Sequence, residues 1–172
     1  MVRRARKAET RTAKRAVHHM DVPTLTTINR QVVALTKEPH RYSEADGKKL
    51  VALLDEVSSR AENQDFDESV FEKASLLVFR VASGQHFGAG NKRTALVAGL
   101  VFLRKNGFEI SLDDPSFVAV VDKVGIAASS LDDLYGVMRR LIIKAPAERK
   151  GWEGAAAAAV ESNKAFLIAV AS

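Results

Sequence analysis

The sequence predicts an all-α domain: a bundle of helices around one buried central helix at about 91–106, with at most one short β segment. Three observations carry this expectation. Apolar residues recur at helical spacing through most of the 172 residues. Ser, Asp and Pro stand where those stretches begin, as helix starts require. One stretch, "NKRTALVAGLVFLRKN", is apolar nearly all round, and a helix with no polar face must be surrounded by other helices.

Taken in order, "DVPTLTTINRQVVAL" offers Asp21 as an N-cap and places Leu25, Ile28, Val32 and Leu35 on one face. "KEPHRYSEADG" reads as a loop, with Ser43 capping a second helix from Glu44 to about Arg60, where Leu50, Leu53, Leu54 and Val57 form the stripe. "ENQDFDE" reads as a polar connection with Asp67 capping a third helix, about Glu68 to Ala82, which buries Phe71, Ala74, Leu77, Val78 and Val81. The central helix follows from Asn91, and "RKNG" ends it with basic residues in the last turn and Gly107 as a left-handed stop. "FEISL" alternates and reads as the short extended segment. Asp114 with Pro115 opens a fifth helix; Ser130, with Asp133 three residues on, opens a sixth to about Lys144. Beyond Pro146 the Ala-rich stretch is helix-prone, and Phe166, Leu167, Ile168 and Val170 need a surface, supplied either by the body or by a second copy in a homodimer. The division expected is a basic tail at 1–20, a folded domain at 21–145 and an Ala-rich helical tail at 146–172.

Hydrophobic content of 47% with 4 Pro and 10 Gly excludes a disordered chain. The sequence has no Cys, which excludes disulfides and thiolate metal ligands and suits a reducing cytoplasm. The longest apolar run, Ala95 to Leu103, is too short to span a bilayer, so no membrane partner is expected. The net charge of +5 is unevenly placed. Residues 1–17 hold seven basic groups against Glu9 alone, leaving 19 basic and 20 acidic groups in the remainder. Contact with RNA, DNA or an acidic partner stays open for this segment, but no aromatics interleave with the charges, and a solvated terminus is the preferred reading.

At the centre lies "SGQHFGAGNKRTA", Ser83 to Ala95. A helix start presents unpaired N–H groups and a partial positive charge, which suits an anion. Gly88 and Gly90 permit a tight turn and close approach. Asn91 is placed either to cap the helix or to bind a phosphate oxygen. Lys92 and Arg93 put positive charge in the first turn, where the helix dipole disfavours it unless an anion is present. A plain Gly-rich turn with an Asn cap is the competing account. His18, His19 and His40 have no spacing that suggests a metal site.

"HFGAGNKRTALVAGLVFLRKNG" resembles the signature of the Fic/Doc family, in particular its death-on-curing (Doc) branch, whose pattern is H-x-F-x-[D/E]-G-N-[G/K]-R. The likeness is densest from Gly84 to Gly107 and looser from about Leu50 to Leu141. The resemblance implies a helical fold, a nucleotide held at the loop by Gly88, Gly90, Asn91, Lys92 and Arg93, and transfer of a phosphoryl or nucleotidyl group from ATP or another nucleotide to a protein hydroxyl. It further implies a toxin restrained by an antitoxin peptide. Two positions depart from the pattern. Gln85 stands where the family has the His that serves as general base, and Ala89 stands where it has the carboxylate that holds Mg²⁺. Gln is no base near neutral pH and Ala no metal ligand, so binding is better supported than turnover, Mg²⁺ is doubtful, and no metal residue is assigned. His86, one residue late, is the remaining candidate for the base. Asp113 and Asp114 read as helix-cap residues rather than substitute metal anchors. "SSRAEN", Ser58 to Asn63, matches the family's inhibitory-helix pattern only by coincidence of three positions.

Overall fold

The computed structural model describes residues 14–171; most of the basic segment, 1–13, lies outside the described residues. The elements in order are α1 (Val22–Leu35), α2 (Glu44–Ser59), α3 (Phe66–Gly84), α4 (Asn91–Lys105), β1 (Phe108–Glu109), α5 (Pro115–Gly125), α6 (Leu131–Leu141), β2 (Ile143–Lys144), α7 (Trp152–Ser162) and α8 (Lys164–Ala169). The protein is all-α around α4. Eleven consecutive residues of that helix, Arg93 to Leu103, are buried, and α1, α3, α5 and α7 all pack on it. The α3–α4 contact is the most extensive, because Gly99 lets the backbones approach: a Cβ there would lie 2.5 Å from Val78 Cγ2.

The caps expected at four helix starts form. Asp21 accepts from Thr24 N–H at 2.9 Å, Ser43 and Ser130 close capping boxes with Asp46 and Asp133, and Asp114 accepts from Ser116 and Phe117. Three readings are corrected. α3 begins two residues early, at Phe66 with Asp65 as N-cap, because Phe66 stacks on Phe108 and belongs to the packed helix; Asp67 sits in its first turn. α6 stops at Leu141, because Ile143 and Lys144 pair antiparallel with Glu109 and Phe108. α4 is preceded by Gly90, not Asn91, as N-cap, with no side-chain cap. The Ala-rich segment folds back: α7 packs on α1 and α4, α8 on α1, and Leu167 is fully buried. Within the first expected segment, Met20 is buried, and the buried Asn106 brackets His18, accepting from its N–H at 2.8 Å and donating to its carbonyl at 3.0 Å.

Candidate functional site

The turn between α3 and α4 is held from both ends. Gln85 ends α3 in the left-handed region (φ 49°), and Gly90 repeats that conformation (φ 75°) immediately before α4. Glycine is required at 90 on two counts, since a Cβ would also lie 2.8 Å from Val33 Cγ1. The Asn91 side chain neither caps nor faces outward alone. Its Oδ1 accepts from Phe87 N–H (3.0 Å) and its Nδ2 donates to Phe87 carbonyl (2.8 Å), closing the turn on itself. Phe87 is buried against Tyr42, at 6.0 Å between rings, and Gly88 N–H donates to the Arg41 carbonyl.

From below, Asn29 of α1 secures the turn. This fully buried amide donates to the Ala89 carbonyl (2.9 Å) and to Thr94 Oγ1 (3.1 Å), while its Oδ1 bonds His40 Nδ1 (2.9 Å). Asn29 escaped the sequence reading, although one signal was there. It falls four residues after Leu25, on the buried face of α1, where a polar side chain must have partners.

The uncapped start of α4 opens onto a cavity of about 320 Å³. Gln85, Gly90, Asn91, Lys92 and Arg93 line it, with Glu38 on one side and Gly125, Ile126 and Val170 on the other. Lys92 reaches across the rim to Asp122 at 2.8 Å, a half-exposed pair that is weakly held. Arg93 is different. Only 5% exposed, it donates to the Val32 carbonyl and Thr36 Oγ1 (3.0 Å each) and forms an ion pair with Glu38. Hydrogen bonds from Thr36 and then Arg93 hold the Glu38 carboxyl below the usual carboxylate range. Nothing in the sequence marks Glu38, whose partner is 55 residues away. Glu62 of "SSRAEN" lies instead by Lys73 and His19.

His86 and Gly88 do not line this cavity. They line neighbouring clefts, His86 one with Lys49, Arg80 and Gly84 and another, shared with Gly88 and Gln85, beside His40 and Tyr42. Its ring packs closely against Gly84, where a Cβ would come 2.2 Å from Nε2. Burial lowers its pKa, opposed in part by a main-chain hydrogen bond with Arg80, and its buried Nδ1 has no partner. The imidazole is therefore neutral near pH 7. Ala89, the position implied for a metal-holding carboxylate, is half-buried against the core. Among the described residues no three His, Asp or Glu side chains gather as metal ligands would.

A family model described as the Fic/DOC family matches residues 15–103, more than half of the sequence. The chain belongs to the Fic/DOC family. The protein kinase doc of Escherichia phage P1 is similar at 28% identity over 97 residues, covering 56% of this chain and 75% of that protein. No solved structure matches. The Fic/DOC match runs from the docked segment before α1 nearly to the end of α4. It thus takes in every element of the turn and its buttress: Asn29, Glu38, Arg41 and Tyr42 as well as the 85–93 loop. Ile126 and Val170, on the far rim of the cavity, come from outside it. No helix among the described residues is long and apolar enough to cross a membrane.

Proposed function

We propose that this Doc-like Fic-fold protein binds a nucleotide through its phosphates at the start of α4 and that its group-transfer chemistry is strongly attenuated. The observation that carries the reading is which residues line the cavity. Gln85, at the family's His position, lines it as well as the neighbouring cleft that it shares with His86, whereas His86 lines clefts outside this cavity. Main-chain N–H groups of the first turn of α4 and the Lys92 ammonium hold the phosphates in this reading, with Asp122 released. Arg93 acts from beneath, because Val32, Thr36 and Glu38 already occupy its guanidinium.

The residues present do not fit Mg²⁺. Ala89 has no ligating side chain, its carbonyl already accepts from Asn29, and the carboxylate on the cavity, Glu38, is paired with Arg93. Loss of a general base alone lowers rates by about 10²- to 10⁴-fold. The competing reading is an active transferase; the relative named a protein kinase favours phosphoryl over nucleotidyl transfer within it. Two measurements separate them. Calorimetry with ATP should show binding by the wild type and binding about tenfold weaker in Lys92→Ala; no binding by the wild type ends the nucleotide reading. Incubation with ATP labelled at the α or γ phosphate, Mg²⁺ and cell extract should give little or no transfer. Vigorous labelling of a protein, abolished by His86→Ala, would establish the active enzyme instead.

The Doc likeness also supports one half of a toxin–antitoxin pair, restrained by a small peptide partner. Growth arrest on expression of the chain alone, relieved by co-expressing a small open reading frame next to its gene, is the expected result. Unimpaired growth on expression alone removes that part of the proposal.

A further inference from the structure

The first turn of α4 carries two cations where the helix dipole disfavours them, and the fold supplies a carboxylate to each: Glu38 to Arg93, and Asp122 of α5 to Lys92. The two pairs are held very differently. The Arg93 side chain is 6% exposed and also donates to the Val32 carbonyl and to Thr36 Oγ1, while the Thr36 hydroxyl donates to the same Glu38 carboxylate. Parting that pair strands a buried guanidinium. The Lys92 and Asp122 side chains are 48% and 56% exposed and meet through one bond of 2.8 Å between Nζ and Oδ1. Water reaches both groups as soon as they separate, so this pair is the exchangeable one.

Gly125 makes the position of Lys92 possible. A Cβ at 125 would lie 3.1 Å from Lys92 Cδ and 3.3 Å from Cγ, so the lysine stem runs along the bare end of α5 to reach Asp122 in its last turn. That end of α5 is firmly closed. Ala128 N–H donates to the Lys123 carbonyl at 2.7 Å, Ala127 takes the left-handed conformation (φ 58°), and the helix packs on α3, α4 and α6. The part free to move is therefore the Lys92 side chain. Lys92 and Gly125 line the cavity and Asp122 does not, so the influence of Asp122 on the site passes through Lys92. Of the residues lining the cavity, the charged ones are Glu38, Lys92 and Arg93, and all three are paired.

We propose that Asp122 is a built-in competitor of the phosphate ligand, holding Lys92 aside until a more highly charged anion takes over its ammonium. This deepens the nucleotide reading and rests on it. The step exchanges one ion pair for another. An acid in the last turn of α5 and a cation in the first turn of α4 each oppose the dipole of their own helix, and the bridge offsets both. A polyphosphate at the α4 start supplies the same compensation to Lys92 with more charge, and the half-exposed Asp122 is left to water. Affinity at the site is thus set from α5 as well as from the 85–93 loop.

The test is a double-mutant cycle on ATP binding by the full chain, read by calorimetry on the wild type, Asp122→Asn, Lys92→Ala and the double variant. Salt is kept at about 0.15 M, which damps repulsion beyond about 8 Å. Asp122→Asn should tighten ATP binding, and the gain should be about two- to fivefold larger with Lys92 present than in the Lys92→Ala background, the range expected when an exposed ion pair ceases to compete. Asp122→Glu keeps a carboxylate near the ammonium and should bind ATP like the wild type. Inorganic tripolyphosphate should show the same coupling as ATP. Both side chains are about half-exposed, so circular dichroism should show every variant as helical as the wild type. Equal gains in the two backgrounds mean plain repulsion of ATP by Asp122 and overturn the proposal, as does a gain in Asp122→Glu equal to that in Asp122→Asn. Coupling seen with ATP and not with tripolyphosphate would set Asp122 against the nucleoside and overturn it too. Absence of ATP binding by all of these proteins ends the nucleotide reading itself, whereas binding with additive changes ends the role of Asp122 alone.

Discussion

Asn29 and Glu38 do the work at the site that glycines and cations in the motif suggest from the sequence. Asn29 makes three hydrogen bonds from a fully buried position and is the group that fixes the carbonyl just before Gly90. Replacing it by Leu keeps the shape and strands Ala89 carbonyl and Thr94 hydroxyl in the core, which costs about 1–3 kcal/mol. Urea denaturation of Asn29→Leu should show that loss, and calorimetry should show weaker ATP binding as the start of α4 loosens; a variant as stable as the wild type would mean the turn holds itself. In the proposed nucleotide reading, Glu38 acts the other way on binding. Its carboxylate lines the cavity and repels a phosphate there, so Glu38→Gln should raise ATP affinity about fivefold, the effect of one charge at about 4 Å in water. Unchanged affinity would place the phosphate away from Glu38.

At the scale of elements, the starts of helices were legible and their partners less so. Asp21, Ser43, Asp114 and Ser130 each satisfy main-chain donors within three residues, a local rule that the sequence displays directly. β2 could not be read, because two exposed residues, Ile143 and Lys144, show no alternation and owe their conformation to Phe108 and Glu109 across the ladder. Close approach of α3 and α4 was hidden for a similar reason. Gly99 inside a helix reads as a mild defect, and its use appears only when Val78 is set against it. Gly99→Ala should therefore destabilise by about 1–3 kcal/mol through overpacking, more than the helix gains from losing a glycine. Shortening the opposing side chain should relieve it. In a thermal or urea cycle, Val78→Ala/Gly99→Ala should be more stable than the sum of the single changes; additive effects would show that the two residues do not meet.

Across the whole molecule, the apolar character of α4 was enough to predict a bundle around it, whereas the site is assembled from segments up to about 130 residues apart in sequence, from Glu38 to Val170. Spacing rules reach only a few residues, so the 85–93 loop was legible and its surroundings were not. The same dispersal governs how acid should act on the fold. Burial, its largest cause in each case, lowers the pKa of His19, His40 and His86, and nearby cations, Lys73, Arg30 and Lys49 respectively, push the same way. Each of the three is thus harder to protonate in the folded chain than in the unfolded one. The unfolded state binds protons first as pH drops past the ordinary His value of about 6.5, so stability is complete above that value and declines as pH falls through the lowered ones. Carboxylates add a second decline with the same sign. Glu38, Asp46, Asp133 and Glu148 are held below their ordinary values by hydrogen bonds, and their contribution is lost as pH falls through those lowered values, below about pH 4. Urea midpoints from about pH 7.5 down to about pH 3 should therefore fall in two stages. His86→Gln should flatten the first stage and Glu38→Gln the second. A midpoint that holds steady between about pH 7.5 and pH 5 would mean that the three imidazoles titrate as freely in the folded protein as in the unfolded chain.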